Sequence, residues 1–299
     1  MPPLLPRRLR QLTLSPRGHL AAASGLVVVQ SHLYVIADDE LDLGIFPVTG
    51  NSHGRLHRLF PGKLPAKKKA RKKQKPDLEA LLLLPPTRTH KHGALLILGS
   101  GSKDNRRRAA LQALDADGAP AGKPKLMDLT PLYRPLEAKL EKLNIEGAVV
   151  SGQDLLLFQR GNKTGINAVI RAPLSRLLRA LATGKGKLAF RITPYALGKI
   201  DGIPLSFTDA AALPDGRIVF TAAAEDTEDS FDDGPNRGSA IGVLDTHGRL
   251  AALRRLRGRI KMEGIHVRQA GKDLELLLVS DADDAKVPAG LYTARLRIN

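Results

Sequence analysis

From about residue 20 onward, short apolar runs rich in Leu, Val and Ile alternate with clusters of turn-forming residues, and one unit of this pattern recurs. Each unit opens with a small polar or acidic residue, then Gly or Ala, then a short apolar stretch, a turn, and a second, more apolar run. Five such units can be aligned: "SGLVVVQSHLYVIADDE" from Ser24, "EALLLLPPTRTHKHGALLILGSGS" from Glu79, "EGAVVSGQDLLLFQRGN" from Glu146, "DAAALPDGRIVFTAAAED" from Asp209 and "EGIHVRQAGKDLELLLVSDAD" from Glu263. Runs of this length, bounded by Gly, Pro, Asn and Asp, read as strands joined by hairpins. Two further strands fit inside most intervals: "LDLGIFPVTG" and "GRLHRLFPG", "INAVIRAPL" and "KLAFRITPY", "SAIGVLDTHG" and "LAALRRLRG". A hairpin plus two strands at this period is the span of a propeller blade. The last unit ends in "GLYTARLRI", and "LRQLTLSP" near the start is left over to complete the final blade. The expectation is one all-β domain over residues 1–299, a five-bladed β-propeller closed by its N- and C-terminal strands. Closure would remove open sheet edges.

Helical periodicity appears in two places. "PLSRLLRALATG" sets Leu174, Leu177, Leu178 and Leu181 on one face before Gly184, and "DLTPLYRPLEAKLEKLN" spaces Leu132, Leu136, Leu140 and Leu143 at near-fourfold intervals. Both read as short insertions covering the core.

Composition narrows the chemistry. There is no Cys, so disulfides and thiolate metal sites are excluded. Trp is absent and aromatics are scarce, so packing should rest on aliphatic side chains. With no run of 18 apolar residues and no visible signal peptide, the expectation is a chain without a transmembrane segment, in the cytoplasm. The formal charge is +17, and seven of the nine residues in "KKKARKKQK", Lys67 to Lys75, are basic. That run reads as part of a flexible solvated loop over about 63–76, with weak, salt-sensitive polyanion binding as the other use. Arg106 to Arg108 and Arg254 to Lys261 add smaller clusters. No helix-turn-helix, aromatic RNA-binding strand pair or zinc finger accompanies them.

In a propeller the first strand of each blade lines the central channel. The five openings therefore place Ser24, Glu79, Glu146, Asp209 and Glu263 around one axis. At about 6 Å each like pair would repel by roughly 3 kcal/mol at an effective dielectric of 20. Protonation, an inward Arg or Lys, or a bound cation must offset this. With oxygen donors alone, Ca²⁺ is the expected metal, held by Glu79, Glu146, Asp209 and Glu263. The other arrangement is structural, the same acids accepting hydrogen bonds from amides of the next blade. The second strands end in another polar set: Asp38 and Asp39, Ser100 and Ser102, Arg160 and Asn162, Glu225 and Asp226, Asp281 and Asp283. These mark one mouth, with Ser24, Asp38, Arg160, Asn162, His266 and Asp281 as candidate ligand contacts. Arg160 could hold an anion, but neutralising the acids is the preferred role. His266 could act as an acid or base, but a packed inner-strand histidine is preferred. "DTEDSFDDGPN", Asp226 to Asn236, is acidic but lacks EF-hand spacing, and reads as a surface loop over the mouth. No phosphate-binding loop or H-E-x-x-H is present, and no nucleophile is nominated.

The order "SGL" at Ser24, "DLEA" at Asp77, "IEGA" at Ile145, "FTDA" at Phe207 and "MEGI" at Met262 resembles the SdiA-regulated propellers and the related esterase-like domain of phytases, a bacterial group. That resemblance implies five blades and a Ca²⁺ ion in the channel. A second likeness, to lactonase-type propellers, would pair Glu146 or Glu263 with Asn162 or Asn167 around a catalytic divalent metal. The leading functional expectation is a cation-binding propeller presenting its mouth to a small molecule or protein. The alternative is a metal-dependent hydrolase of phosphoesters, esters or lactones.

Overall fold

The computed structural model describes residues 2–16, 18–161, 165–185, 188–227 and 234–297. The first strand, β1 (Arg7–Gln11), is set apart from its sequence neighbours. Blade one follows as β2 (Ala23–Val29), β3 (His32–Ala37), β4 (Asp42–Pro47) and β5 (Arg55–Arg58). Helix α1 (Lys68–Gln74) leads into blade two, β6 (Leu78–Leu84), β7 (Ala94–Gly99), β8 (Arg108–Ala113) and β9 (Lys125–Asp128). After α2 (Thr130–Glu137), blade three comprises β10 (Ile145–Ser151), β11 (Asp154–Gln159), β12 (Asn167–Pro173) and β13 (Arg191–Tyr195), with α3 (Leu174–Thr183) between its last two strands. A small hairpin, β14 (Lys199–Ile200) and β15 (Ile203–Pro204), precedes blade four: β16 (Ser206–Ala212), β17 (Ile218–Glu225), β18 (Asn236–Leu244) and β19 (Leu250–Arg255). Blade five is β20 (Lys261–Ala270), β21 (Asp273–Asp281) and β22 (Gly290–Arg297), with β1 as its fourth strand.

All pairings within the blades are antiparallel, and β1 closes the ring by pairing with β22, Arg7 opposite Thr293. The second strands are buried on both faces, which is why "HLYVIA", "ALLILG" and "IVFTAAAE" read as continuous apolar runs. The outermost strands β5 and β9 are mostly exposed and correspondingly polar. Each inner strand contacts its two neighbours around the axis, and five apolar clusters fill the wedges between successive blades.

The helices refine the sequence expectation. Helix α3 buries Leu177 and Leu181, with Leu174 and Leu178 partly covered, and ends at Gly184, whose φ of 66° is the left-handed cap that glycine adopts without strain. Helix α2 ends at Glu137, shortly after Pro135, so Leu140 and Leu143 reach the core from beyond it. The basic stretch expected as a flexible loop contains a third helix, α1, with no buried residue. No helix among the described residues is long and apolar enough to cross a membrane.

Candidate functional site: an acidic propeller mouth

Every inner strand carries a register shift at the same point, between Ala23 and Gly25, Leu78 and Ala80, Ile145 and Gly147, Phe207 and Asp209, and Met262 and Gly264. A β-bulge inserts one unpaired residue and re-aims its side chain. The bulged residues are Ser24, Glu79, Glu146, Thr208 and Glu263. Asp209 therefore sits one residue past the ring position, where the other blades have Gly or Ala. It is fully buried, and its Oδ2 accepts a hydrogen bond from the Ile265 amide of blade five at 2.9 Å. Room for it comes from Gly147, where a Cβ would lie 2.9 Å from the Asp209 Cα. Asp209 thus ties two blades together by capping an amide. Thr208 takes the bulge, and its hydroxyl donates to the Met262 carbonyl at 2.8 Å.

The structure gives most of these acids partners. Arg160, directly after β11, bonds Glu146 at 3.2 Å and also Glu225 at the end of β17. Asn144 donates to the other oxygen of Glu146. Lys261 lies among Glu263 at 3.1 Å, Asp283 at 2.9 Å, Glu225 at 3.5 Å and Asp281 at 4.0 Å. Lys75 joins Asp38 to Asp77, with Asp77 at 2.9 Å, and Arg106 holds the second oxygen of Asp77 at 2.7 Å. Ser100 donates to Asp77 at 2.6 Å and shares a hydrogen bond with Ser102. Ser24, at the bulge of blade one, makes among the described residues only a long 3.4 Å contact with the Ala22 carbonyl. Glu79 differs from Glu146 and Glu263 in having no hydrogen bond or ion pair among the described residues, although it is 9% exposed.

Eight carboxylates (Asp38, Asp77, Glu79, Glu146, Glu225, Glu263, Asp281 and Asp283) thus face four cations (Lys75, Arg106, Arg160 and Lys261) at the mouth of a strongly basic chain. Burial pushes Glu79 well above the usual carboxylate range, and Glu146, Asp77 and Asp38 push it further. Burial also raises Asp38, Glu146 and Asp281 against the pull of their cationic partners. Asp77 goes the other way: burial opposes its ionisation, but Lys75 and Arg106 overcome it and hold the carboxyl low. Burial similarly disfavours the charges of Arg160 and Lys261, yet the surrounding carboxylates keep both firmly protonated.

Glu263 is pushed up to about 7, chiefly by burial, with Lys261 and Arg160 opposing. A carboxyl raised in the folded state stabilises the fold below its ordinary value of 4.5, and that contribution is lost as pH rises through about 7. The melting temperature of the wild type should therefore fall more between pH 5 and 8 than that of Glu263→Gln. Parallel profiles for the two proteins, measured by calorimetry, would contradict this assignment.

The remaining sequence candidates lie elsewhere. His266 is on β20 beyond the bulge and lines a separate cleft with Arg7 and Val28, so it does not belong to the mouth. The Asn167 amide is committed to backbone: it accepts from Gly161 and Phe207 and donates to Leu205, so no donor is left for a metal. Asn162 lies outside the described residues, as do residues 228–233 of the acidic Asp226–Asn236 segment. The aliphatic packing expected from composition also has an exception, since Phe158, Tyr195, Phe207 and Phe220 cluster between blades three and four.

Sequence reasoning passed over Lys75, Asp77, Asn144 and Lys261. The signal was the period of two: the residue two before each bulge shares its face, and in blades two, three and five that position holds Asp77, Asn144 and Lys261. Lys75 continues the same alternation and was hidden in the basic run.

The family model for a family of unknown function, DUF6929, matches residues 19–296. The chain belongs to that family. No curated protein matches it. Among solved structures, this DUF6929 member is similar to the glutaminyl cyclase of Myxococcus xanthus, with 10% identity over 100% of both chains and a TM-score of 0.51. It is also similar to a putative glycoside hydrolase from Parabacteroides distasonis, with 12% identity over 98% of this chain and 94% of that one, and a TM-score of 0.50. A gluconolactonase from Xanthomonas campestris is a looser match, at 12% identity, 98% coverage of both chains and a TM-score of 0.39. The first two likenesses show a shared fold for the DUF6929 chain.

Proposed function

We propose that the mouth is a receptor for a divalent cation, Ca²⁺, and that the ion presents open coordination positions to a ligand or partner. The observation that carries this reading is Glu79, a carboxylate without a partner beside Asp38 and Asp77, one oxygen from each of the three lying within 4.8 Å of the others. That spread suits oxygens placed on either side of an ion with Ca–O distances of 2.3–2.6 Å. The donors are all hard oxygens, which favours Ca²⁺ over a transition metal. Three carboxylates do not fill a Ca²⁺ shell of six to eight oxygens, so water or a ligand completes it. The resemblance to the SdiA-regulated propellers, which implies a channel Ca²⁺, supports the same reading. The ion site is shifted from the four-acid ring expected from sequence, because Arg160 and Lys261 already serve Glu146 and Glu263 and Asp209 caps an amide.

Lys75 competes with the ion, since its ammonium sits on Asp38 and Asp77. Lys75→Met should therefore bind Ca²⁺ more tightly than the wild type, by about tenfold or more, and Glu79→Gln should bind it more weakly by a similar factor. Calorimetric titration of chelator-free protein with CaCl₂ measures both. Absence of Ca²⁺ binding in both wild type and Lys75→Met would end this proposal. Ester, lactone and phosphoester hydrolysis assayed on the same proteins, with Glu79→Gln as control, separates a receptor from a metal-dependent hydrolase.

A further inference from the structure

A cleft of about 590 Å³ opens between blade five and blade one, and no mouth residue lines it. Its floor is one face of blade five. The strand register sets His266 opposite Leu277, Leu277 opposite Thr293, and Thr293 opposite Arg7, a single row across all four strands. Two residues along, on the same face, Glu275 lies between Arg268 and Arg295 and accepts from both guanidinium groups. The facing wall is apolar, formed by Val28 and Val48 of blade one where the core between these blades thins out.

The row has an unusual property: none of the side chains of His266, Thr293 and Arg7 has a hydrogen bond or ion pair among the described residues. Elsewhere in the same cleft the charges are spent, since Arg268 and Arg295 are tied to Glu275. One unpaired guanidinium beside one unpaired hydroxyl, on adjacent strands 4.7–4.9 Å apart, matches the two oxygens of a carboxylate. His266 is two strands further from Thr293, about 10 Å away, with Leu277 between. Burial pushes the His266 imidazole down to about 4, so it is neutral near pH 7 and offers one donor and one acceptor. A bare inorganic anion would use Arg7 and leave the Val28, Val48 and Leu277 surface in water.

We propose that this cleft binds an amphipathic monocarboxylate, with the carboxylate on Arg7 and Thr293, the alkyl chain across Leu277 against Val28 and Val48, and a terminal hydroxyl or carbonyl on His266. The volume is in the range of small-molecule sites, and the mixture of an apolar wall with a few convergent polar groups is characteristic of them. The site is independent of the Ca²⁺ reading, because the two share no residue.

The test is calorimetric titration of the full chain with octanoate, ω-hydroxyoctanoate and octylamine. Octanoate should bind at one site, and octylamine at least about tenfold more weakly because Arg7 repels the ammonium. ω-Hydroxyoctanoate should bind tighter than octanoate by about threefold or more, an advantage that His266→Phe removes. Arg7→Ala, a substitution at an exposed residue, should weaken octanoate by about tenfold, and Val28→Trp should fill the cleft and abolish binding. The proposal is overturned if the wild type binds neither acid at millimolar concentration. It is equally overturned if Arg7→Ala and Val28→Trp, melting as the wild type does, bind octanoate unchanged.

Discussion

Arg160→Met is expected to destabilise the propeller by about 3–5 kcal/mol at neutral pH, the range for removing one partner of a buried ion pair. The guanidinium lies between Glu146 of blade three and Glu225 of blade four, and all three side chains are under 10% exposed. Methionine keeps much of the length and apolar contact of the arginine stem, so the loss is electrostatic. It leaves two carboxylates facing one another with Lys261 as the cation near Glu225. Glu146 is already raised by burial, so acidification lets it take up a proton and the penalty should shrink. Urea denaturation at pH 7.5 and pH 5 measures both effects. Adding Glu146→Gln and Glu225→Gln should restore a large part of the loss, because the uncompensated charges disappear with them. A cost under 1 kcal/mol at pH 7.5 would mean that water, rather than Arg160, satisfies these acids.

Phe207→Ala is expected to cost a similar amount, about 3–5 kcal/mol, for a different reason. The Phe207 ring is fully buried and meets Phe220 at 4.9 Å, Phe158 at 5.2 Å and Tyr195 at 5.8 Å between centroids, each edge to face. Such pairs contribute about 0.5–1.5 kcal/mol each beyond the area they bury. The surroundings cannot collapse into the void easily. The Phe220 ring lies flat against Gly242, where a Cβ would be 2.0 Å away, and the Phe207 amide is fixed by Asn167. Phe207→Leu should cost clearly less. Calorimetry compares the two, and Ca²⁺ titration below the melting transition should be unaffected in both, since Asp38, Asp77 and Glu79 belong to blades one and two. Equal melting temperatures for wild type and Phe207→Ala would show that the two blades do not depend on this cluster.

The fold was readable because its determinants are local and repeated. Continuous apolar runs mark strands buried on both faces, and the Gly or Ala after each opening marks the crowded axis, as at Gly264, where a Cβ would lie 3.0 Å from Gly25. The leftover strand near Arg7 followed from counting. The mouth was readable in outline: Asp38, Arg160, Glu225 and Asp281 all gather where the second strands end. What sequence spacing did not carry is which acid meets which base. Asp209 was placed on the ring because it is the acid in "FTDA", but the bulge in blade four falls on Thr208 and shifts its carboxylate to an amide. Lys75 looked like one more solvated lysine. Its neighbour Asp77 adopts a left-handed φ of 56° at the entry to β6, and the Lys75 ammonium turns into the acidic mouth while Arg71 stays on its rim, bonded to Asp39 and Glu40. The pairings of Lys75 with Asp38 and of Arg71 with Asp39 and Glu40 join elements more than thirty residues apart, which no local pattern encodes.

The pairing of Arg7 with Thr293 has a consequence for how this molecule comes into being. While a ribosome is still making the chain, blades one to four can form hairpins, but β1, although made before them, stays unpaired until β22 emerges after every other strand of the ring. Glu263, Lys261 and Asp281 arrive last, so a nascent chain holds Arg160 and Glu225 without the lysine that completes their network. Proteolytic fragments lacking either end should therefore be unable to assemble the mouth, however many intact blades they keep.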